Sequence, residues 1–248
     1  MRFIGQGKVY VATRDAQGNP GGFRWLFDVS QLQLQPKSQT IDHQESHTGR
    51  RLTDVHVITQ TQMMLQLTLD DWDPENIALA LYGTHTQVVS GTVTAEQLPA
   101  ALVDNDYAML ANPGVSSVVV NDSAGTPVAL VEGTDYQITN ADLGMIQLLN
   151  TSTFMQPFTV DYSYAQYDKT AAFETSPPER WLRFNGINLA EQSKPIGIDL
   201  YRVVLDLPSQ IDMINTQVGT FQLGGEALYD SLKEGNTALG QFGRVLQL

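Results

Sequence analysis

Cysteine is absent from these 248 residues, so neither a disulfide framework nor a thiolate metal site can be built. Basic residues are scarce: 14 Lys and Arg stand against 27 Asp and Glu, a formal charge of −13. That balance argues against a surface made to hold phosphates, which would need a basic stripe. Long apolar runs are missing too. No stretch reaches the ~20 residues of a membrane-spanning helix, and Met1-Arg2 leads into mixed sequence with no apolar signal segment. The expectation is a soluble chain made in a cytoplasm, with no membrane partner.

Signatures of catalysis are equally sparse. No Gly-x-Ser-x-Gly elbow, phosphate loop or dinucleotide fingerprint occurs, and Gly5-Gln-Gly7-Lys8 is too short to cradle a phosphate. His43 and His47 have the four-residue spacing that makes a metal pair on a helix, but they fall in a strand-and-tip pattern where it does not converge. Asp70, Asp71, Asp73 and Glu75 form an acidic cluster in which two carboxylates could serve glycosidic chemistry. Capping already accounts for Asp73, and the helix dipole for Glu75. No catalytic residue, metal or cofactor is therefore expected.

What the chain does have is a long alternating run. Val55, Val57, Thr59, Thr61, Met63, Leu65, Leu67 and Leu69 are apolar or β-branched, whereas His56, Gln60, Gln62, Gln66 and Thr68 are polar. Ile58 and Met64 break the alternation. Side chains alternate faces along a strand, so Val55, Val57, Met63, Leu65, Leu67 and Leu69 are the expected core face, opposite a wet face of amides. At ~3.3 Å per residue the run spans about 50 Å, far more than an ordinary strand. Ile41–Ser46 pairs with it as a hairpin, leaving a tip at 47–53 where Gly49 suits a positive φ. Arg50 and Arg51 at that tip are either a solvated loop or a cation pair that docks on something acidic.

A short helix follows. Asp73 is an N-cap acceptor, Pro74 suits the first helical position, and Gly83 suits the left-handed residue after the last turn. The helix is too short to stand alone and must lie on the sheet.

Elsewhere the pattern is strands and turns. Candidates are Lys8–Thr13, Phe23–Phe27, and Val29–Gln35 with Pro36 marking an end or an edge. Residues 84–100 read as a loop or edge strand, and Tyr107–Leu110, Ser117–Val120, Val128–Val131, 133–139, Met145–Leu149 and Phe158–Tyr164 as a meander. Residues 166–179 read as a connecting loop. The last third holds strands at Trp181–Asn185, Gly197–Leu205 and Gly219–Leu223, and a short helix at Glu226–Leu232. The fold class expected is mainly β: a sandwich or barrel with a long β-hairpin and a short flanking α-helix. One domain over residues 1–248 is the simplest organisation, with 101–165 either part of it or an outer lobe.

Three stretches carry a resemblance. They are Glu45-Ser-His-Thr-Gly-Arg-Arg-Leu-Thr-Asp54 with the strand behind it, Asp73-Pro-Glu-Asn-Ile-Ala-Leu-Ala-Leu-Tyr-Gly83, and the segment from Val131-Glu-Gly-Thr-Asp-Tyr136 through Gly144-Met-Ile to Val160-Asp-Tyr-Ser-Tyr164. Together they resemble the major tail tube protein of long-tailed, non-contractile bacteriophages, over most of residues 25–165. The resemblance implies a structural virion protein, assembled in the host cytoplasm. Six copies form a ring, their hairpins join into an inner β-barrel, and rings stack into a tube through which DNA passes during ejection. Implied partners are other copies of the chain, a tape measure protein inside the growing tube, and tail terminator and distal tail proteins.

On this sequence His56, Gln60, Gln62 and Gln66 would face the lumen, giving DNA phosphates no cationic anchor. Arg50 and Arg51 at the tip, and Asp168 and Lys169 in the 166–179 loop, would meet the next ring. The competing expectation is a monomeric β-sandwich that binds or decorates a virion or cell surface. An enzyme with shifted carboxylates in a pocket comes third.

Overall fold

The computed structural model describes residues 2–235 and 238–248. The chain is mainly β and forms two compact units, one of residues 1–84 with 170–248 and one of residues 85–169.

The first unit opens with β1 (Gly5–Arg14), β2 (Pro20–Trp25), β3 (Val29–Gln44), β4 (Thr53–Leu69) and helix α1 (Pro74–Ala80). Then β5 (Thr84–Val88) leads into the second unit. There lie β6 (Gly91–Gln97), β7 (Tyr107–Met109), β8 (Val115–Asn121), β9 (Tyr136–Asn140), β10 (Met145–Leu148) and β11 (Thr159–Tyr164). β12 (Tyr167–Ala171) pairs with β5, after which the first unit resumes with β13 (Glu179–Asn188), β14 (Lys194–Leu205), β15 (Phe221–Ala227) and β16 (Gly243–Gln247).

In the first unit one eight-stranded sheet runs β2-β1-β13-β14-β15-β4-β3, with β16 also pairing β14. Its core gathers Val9, Val11, Leu26, Leu65, Leu67, Leu69, Leu182, Leu200, Val203, Leu205, Phe221 and Leu223. α1 adds Leu79 and Ala80 to that core, the burial that so short a helix needs. The Asp73 carboxylate accepts the Glu75 N–H at 3.0 Å, and Pro74 takes the first helical position. Asn76 is fully buried: its Nδ2 donates to Leu26 O at 3.0 Å and its Oδ1 accepts from Arg24 at 2.7 Å.

The helix ends differently from expectation. Tyr82, at φ 48°, takes the left-handed position in place of Gly83, and the Gly83 N–H closes the turn onto Ala78 O at 2.8 Å. Gly83 is needed for another reason: a Cβ there would lie 2.0 Å from Ala171 O.

The second unit has two three-stranded sheets, β7-β10-β9 and β6-β11-β8. Val120, Ile146, Leu148, Phe158 and Val160 are fully buried in its core. Buried carboxylates hold its turns. Asp122 accepts the Val128 N–H at 2.7 Å, and Asp135 accepts that of Val131 at 2.9 Å.

Several elements depart from the sequence reading. β3 runs through Pro36 to Gln44, because β3 is an edge strand and the missing N–H costs no ladder bond. Val128–Val131 makes only an isolated bridge, Asn121↔Ala129. The expected loop at 166–179 contains β12. At Glu226–Leu232 the β15–β4 ladder extends to Ala227 and a one-turn 3₁₀ helix covers Ser231–Lys233, since tertiary pairing overrides local helix preference. The last strand, β16, carried no signal that the sequence reading used.

Candidate assembly surface

β3 and β4, 16 and 17 residues long, form the hairpin expected from the alternating run. At its root β4 lies between β3 and β15, and Leu65, Leu67 and Leu69 are buried while Met63 is half-buried against the same core. β15 ends at Ala227, opposite Met63. Among the described residues, from Gln62 outward β4 pairs only with β3, and β3 pairs with nothing else along its whole length. Residues 53–61 are all exposed. Both edges of this arm are unpaired, as is its apolar surface: Ile41 is 63 % exposed, Ile58 58 % and Leu52 56 %.

Val55 and Val57 are a correction. They are 46 % and 48 % exposed, and they do not share a face with Leu65. The cause is a β-bulge: Gln39 pairs Gln60 but Thr40 pairs Ile58, leaving Thr59 as an extra residue. Residues directly opposed across a ladder share a face, so the bulge exchanges the two faces beyond it. On the side continuous with the core lie Leu34/Leu65, Pro36/Met63, Ser38/Thr61, Thr40/Ile58 and Asp42/His56. On the other lie Gln33/Gln66, Gln35/Met64, Lys37/Gln62, Gln39/Gln60, Ile41/Val57 and His43/Val55.

His56 is therefore also corrected: it stands on the face opposite Gln60, Gln62 and Gln66. Those three amides do share one face, with Gln33, Gln35 and Gln39 from β3. Gln66 Nε2 donates to Gln222 Oε1 of β15 at 3.1 Å, so the amide surface continues across the sheet. Lys37 is the cation of this face on the arm. The amide root and the apolar far half of one face are separated by Thr40 on β3 and by Ile58 and Thr59 on β4.

The tip is ordered by Glu45, whose side chain is buried although the loop around it is exposed. Its carboxylate accepts the Thr48 hydroxyl and the N–H groups of His47 at 2.8 Å and Thr48 at 2.9 Å. The Thr48 hydroxyl and backbone N–H bonds hold the Glu45 carboxyl down at about 2, with the His47 and Leu52 amides adding to them. Gly49 (φ 76°) and Arg51 (φ 51°) carry the chain round. Arg50 and Arg51 are exposed, and neither forms an ion pair among the described residues. Asp168 and Lys169 are exposed in the other compact unit, where Asp168 meets His85 Nε2 at 3.0 Å.

Below the arm, the inner face of the first unit opens as an apolar trough of about 1260 Å³, lined among others by Val9, Leu32, Leu34, Phe184, Ile198 and Leu246. Three carboxylates of the acidic cluster are committed to structure: Asp70 accepts from Ser30 Oγ at 2.9 Å, Asp73 caps α1 and Glu75 pairs Arg24 at 2.8 Å. Among the described residues no group of His, Asp and Glu is placed to hold a metal ion, and no helix is long and apolar enough to cross a membrane.

Sequence reasoning missed the buried Asn76, whose neighbours are distant in sequence. It also missed that each of the four histidines stands beside a carboxylate; the relevant signal was the run of acids at 42, 45 and 54 interleaved with them.

No curated protein matches the chain. A family match does extend over residues 2–246, nearly the whole chain and the arm with it, and the chain belongs to the family described as Protein of unknown function UCP028589.

Proposed function

We propose that this chain is a structural subunit that assembles with copies of itself into stacked rings, forming the tail tube of a bacteriophage through which DNA passes. One observation carries the reading: an arm whose two edges and apolar far half have no partner among the described residues. Exposed edge strands are an aggregation hazard unless something pairs with them. A head-to-tail contact that closes into a ring satisfies every edge at once, and copies of the same arm are the simplest source of the missing strand. The amide face, with Lys37 as its cation on the arm, offers DNA phosphates little to hold and suits a bore that must stay wet.

In this reading the arms of neighbouring copies pair into an inner barrel, and the Arg50–Arg51 tip, with Asp168 and Lys169, meets the next ring. A tape measure protein occupies the bore during assembly, terminator and distal proteins close the ends, and the product resides in the virion tail. No catalytic residue or cofactor takes part.

The test is sedimentation and negative-stain imaging of the purified chain and of an Ile41→Ser/Val55→Ser/Val57→Ser variant. Rings or tubes of fixed diameter are expected from the natural chain, and monomers of unchanged thermal stability from the variant. A natural chain that stays monomeric at every concentration, or a variant that assembles equally well, would overturn the reading. The separate core of the second unit favours one other reading, a monomeric binding or decoration module. Its outer sheet face exposes Tyr107 and Met109, at 57 % and 74 %, and it predicts the monomer outcome.

A further inference from the structure

We infer that the arm carries a proton-controlled assembly switch, in which His43, His47 and His56 must be uncharged for copies of the arm to pack side by side. The inference rests on the tube-subunit reading above and adds its regulation.

Three of the four histidines lie on the arm, each with Nδ1 against a carboxylate oxygen. His43 is 2.6 Å from Asp54, His56 is 2.5 Å from Asp42 and His47 is 3.2 Å from Glu45. The His56–Asp42 and His43–Asp54 contacts both cross from one strand to the other, and because Asp42 and His43 are neighbours on β3 they lie on opposite sides of the ribbon. Among the described residues no other element packs on this part of the arm, whose residues 53–61 are all exposed. The charged groups that face the imidazoles are thus those of β3, β4 and the tip: Lys37, Asp42, Glu45, Arg50, Arg51 and Asp54.

Those six cancel. From Lys37 to Gln62 the arm holds three basic and three acidic residues, and is neutral when its histidines are neutral. The whole-chain charge of −13 therefore resides outside the arm. Histidine ordinarily changes charge between about pH 5 and 8. Full protonation takes the arm from neutral to three positive charges.

The sign follows from what assembly changes. The histidine–carboxylate pairs lie within one arm, so they are made in the free chain and in the assembly alike, and cancel from the equilibrium. The new term is arm against arm. Paired strands lie ~4.8 Å apart, well inside the ~8 Å screening length of physiological salt, so three like charges on each neighbour repel. Acidification loosens the contact between copies, and salt restores it.

The experiment measures, by sedimentation velocity, the concentration at half-assembly of the full chain from about pH 8 to about pH 5.5, a window chosen for histidine. Natural chain, His85→Gln and a His43→Gln/His47→Gln/His56→Gln variant are compared, with His43→Gln and His56→Gln singly should the triple variant fail to fold. A rise of about tenfold on acidification is expected for the natural chain and for His85→Gln, vanishing at about 1 M salt. A flat response is expected from the triple variant, and a partial one from each single variant. A flat natural chain, a triple variant that keeps the response, or assembly that strengthens in acid would each overturn the switch while leaving the tube reading intact. Absence of assembly at every pH would overturn the tube reading itself, and the switch with it.

Discussion

At the scale of single residues, the positions that hold the root of the arm are polar ones in apolar surroundings. Asn76 has no exposed surface, and both ends of its amide are used, on Leu26 O and on Arg24. Asn76→Ala strands the Leu26 carbonyl and removes one acceptor of Arg24, which keeps its pair with Glu75, and should destabilise the first unit by about 1–3 kcal/mol. Asp73→Ala, which removes the cap and a long 3.9 Å contact with Arg24, should cost about 1 kcal/mol. Chemical denaturation of the two variants checks the order. Glu45 makes a different kind of prediction. Hydrogen bonding lowers its carboxyl from 4.5 to about 2, so its contribution is complete above its unfolded value and disappears as pH falls through the folded one. Amide protection of His47 and Thr48, followed by hydrogen exchange, should therefore fade between about pH 4.5 and 2, while amides of β14 keep theirs. In Glu45→Gln the protection should be weak already at neutral pH.

At the scale of elements, the arm shows what alternation in a sequence can and cannot say. The strand, its length, its pairing partner and the burial of Leu65, Leu67 and Leu69 follow from side-chain period alone. Val55, Val57 and His56 do not, because the period is broken by an extra residue at Thr59 that has no signature of its own: threonine is an ordinary strand residue there. The break is visible in hindsight at Ile58, an apolar residue in the polar register, which becomes regular once one position is skipped. Inserting one residue between Gln39 and Thr40, so that Thr59 gains a partner, should restore strict alternation and turn Val55 and Val57 to the side of Leu65. The melting temperature should change little, since residues 53–61 contribute nothing to the core, while ring or tube formation should be lost. Electron microscopy beside a thermal melt separates the two effects. Helix α1 was legible because capping is local; its end was not, since the close approach of Ala171 that demands Gly83 comes from far along the chain.

At the scale of the whole molecule, the meander expected between 107 and 164 is a unit with its own core, and the arm is neutral although the chain as a whole is strongly acidic. Composition is a sum over the chain and does not report where charge resides. The boundaries at 85 and 169 were not legible, because β5 and β12 are polar, short and recognisable only as a pair. Residues 85–169 expressed alone should unfold in a single cooperative transition, as the buried Val120, Ile146, Phe158 and Val160 give that segment a core of its own. Loss of near-ultraviolet dichroism and tryptophan-free fluorescence from its tyrosines would report the transition; a non-cooperative melt would show that it borrows stability from the remainder.

The pairing of β5 with β12 has a practical corollary. Polypeptide departs on one strand and comes home on the adjacent one, so its two ends are held a strand's width apart whatever lies between them. A foreign domain whose termini are similarly close could be spliced in at that doorway without lengthening or shortening any rung of the main sheet.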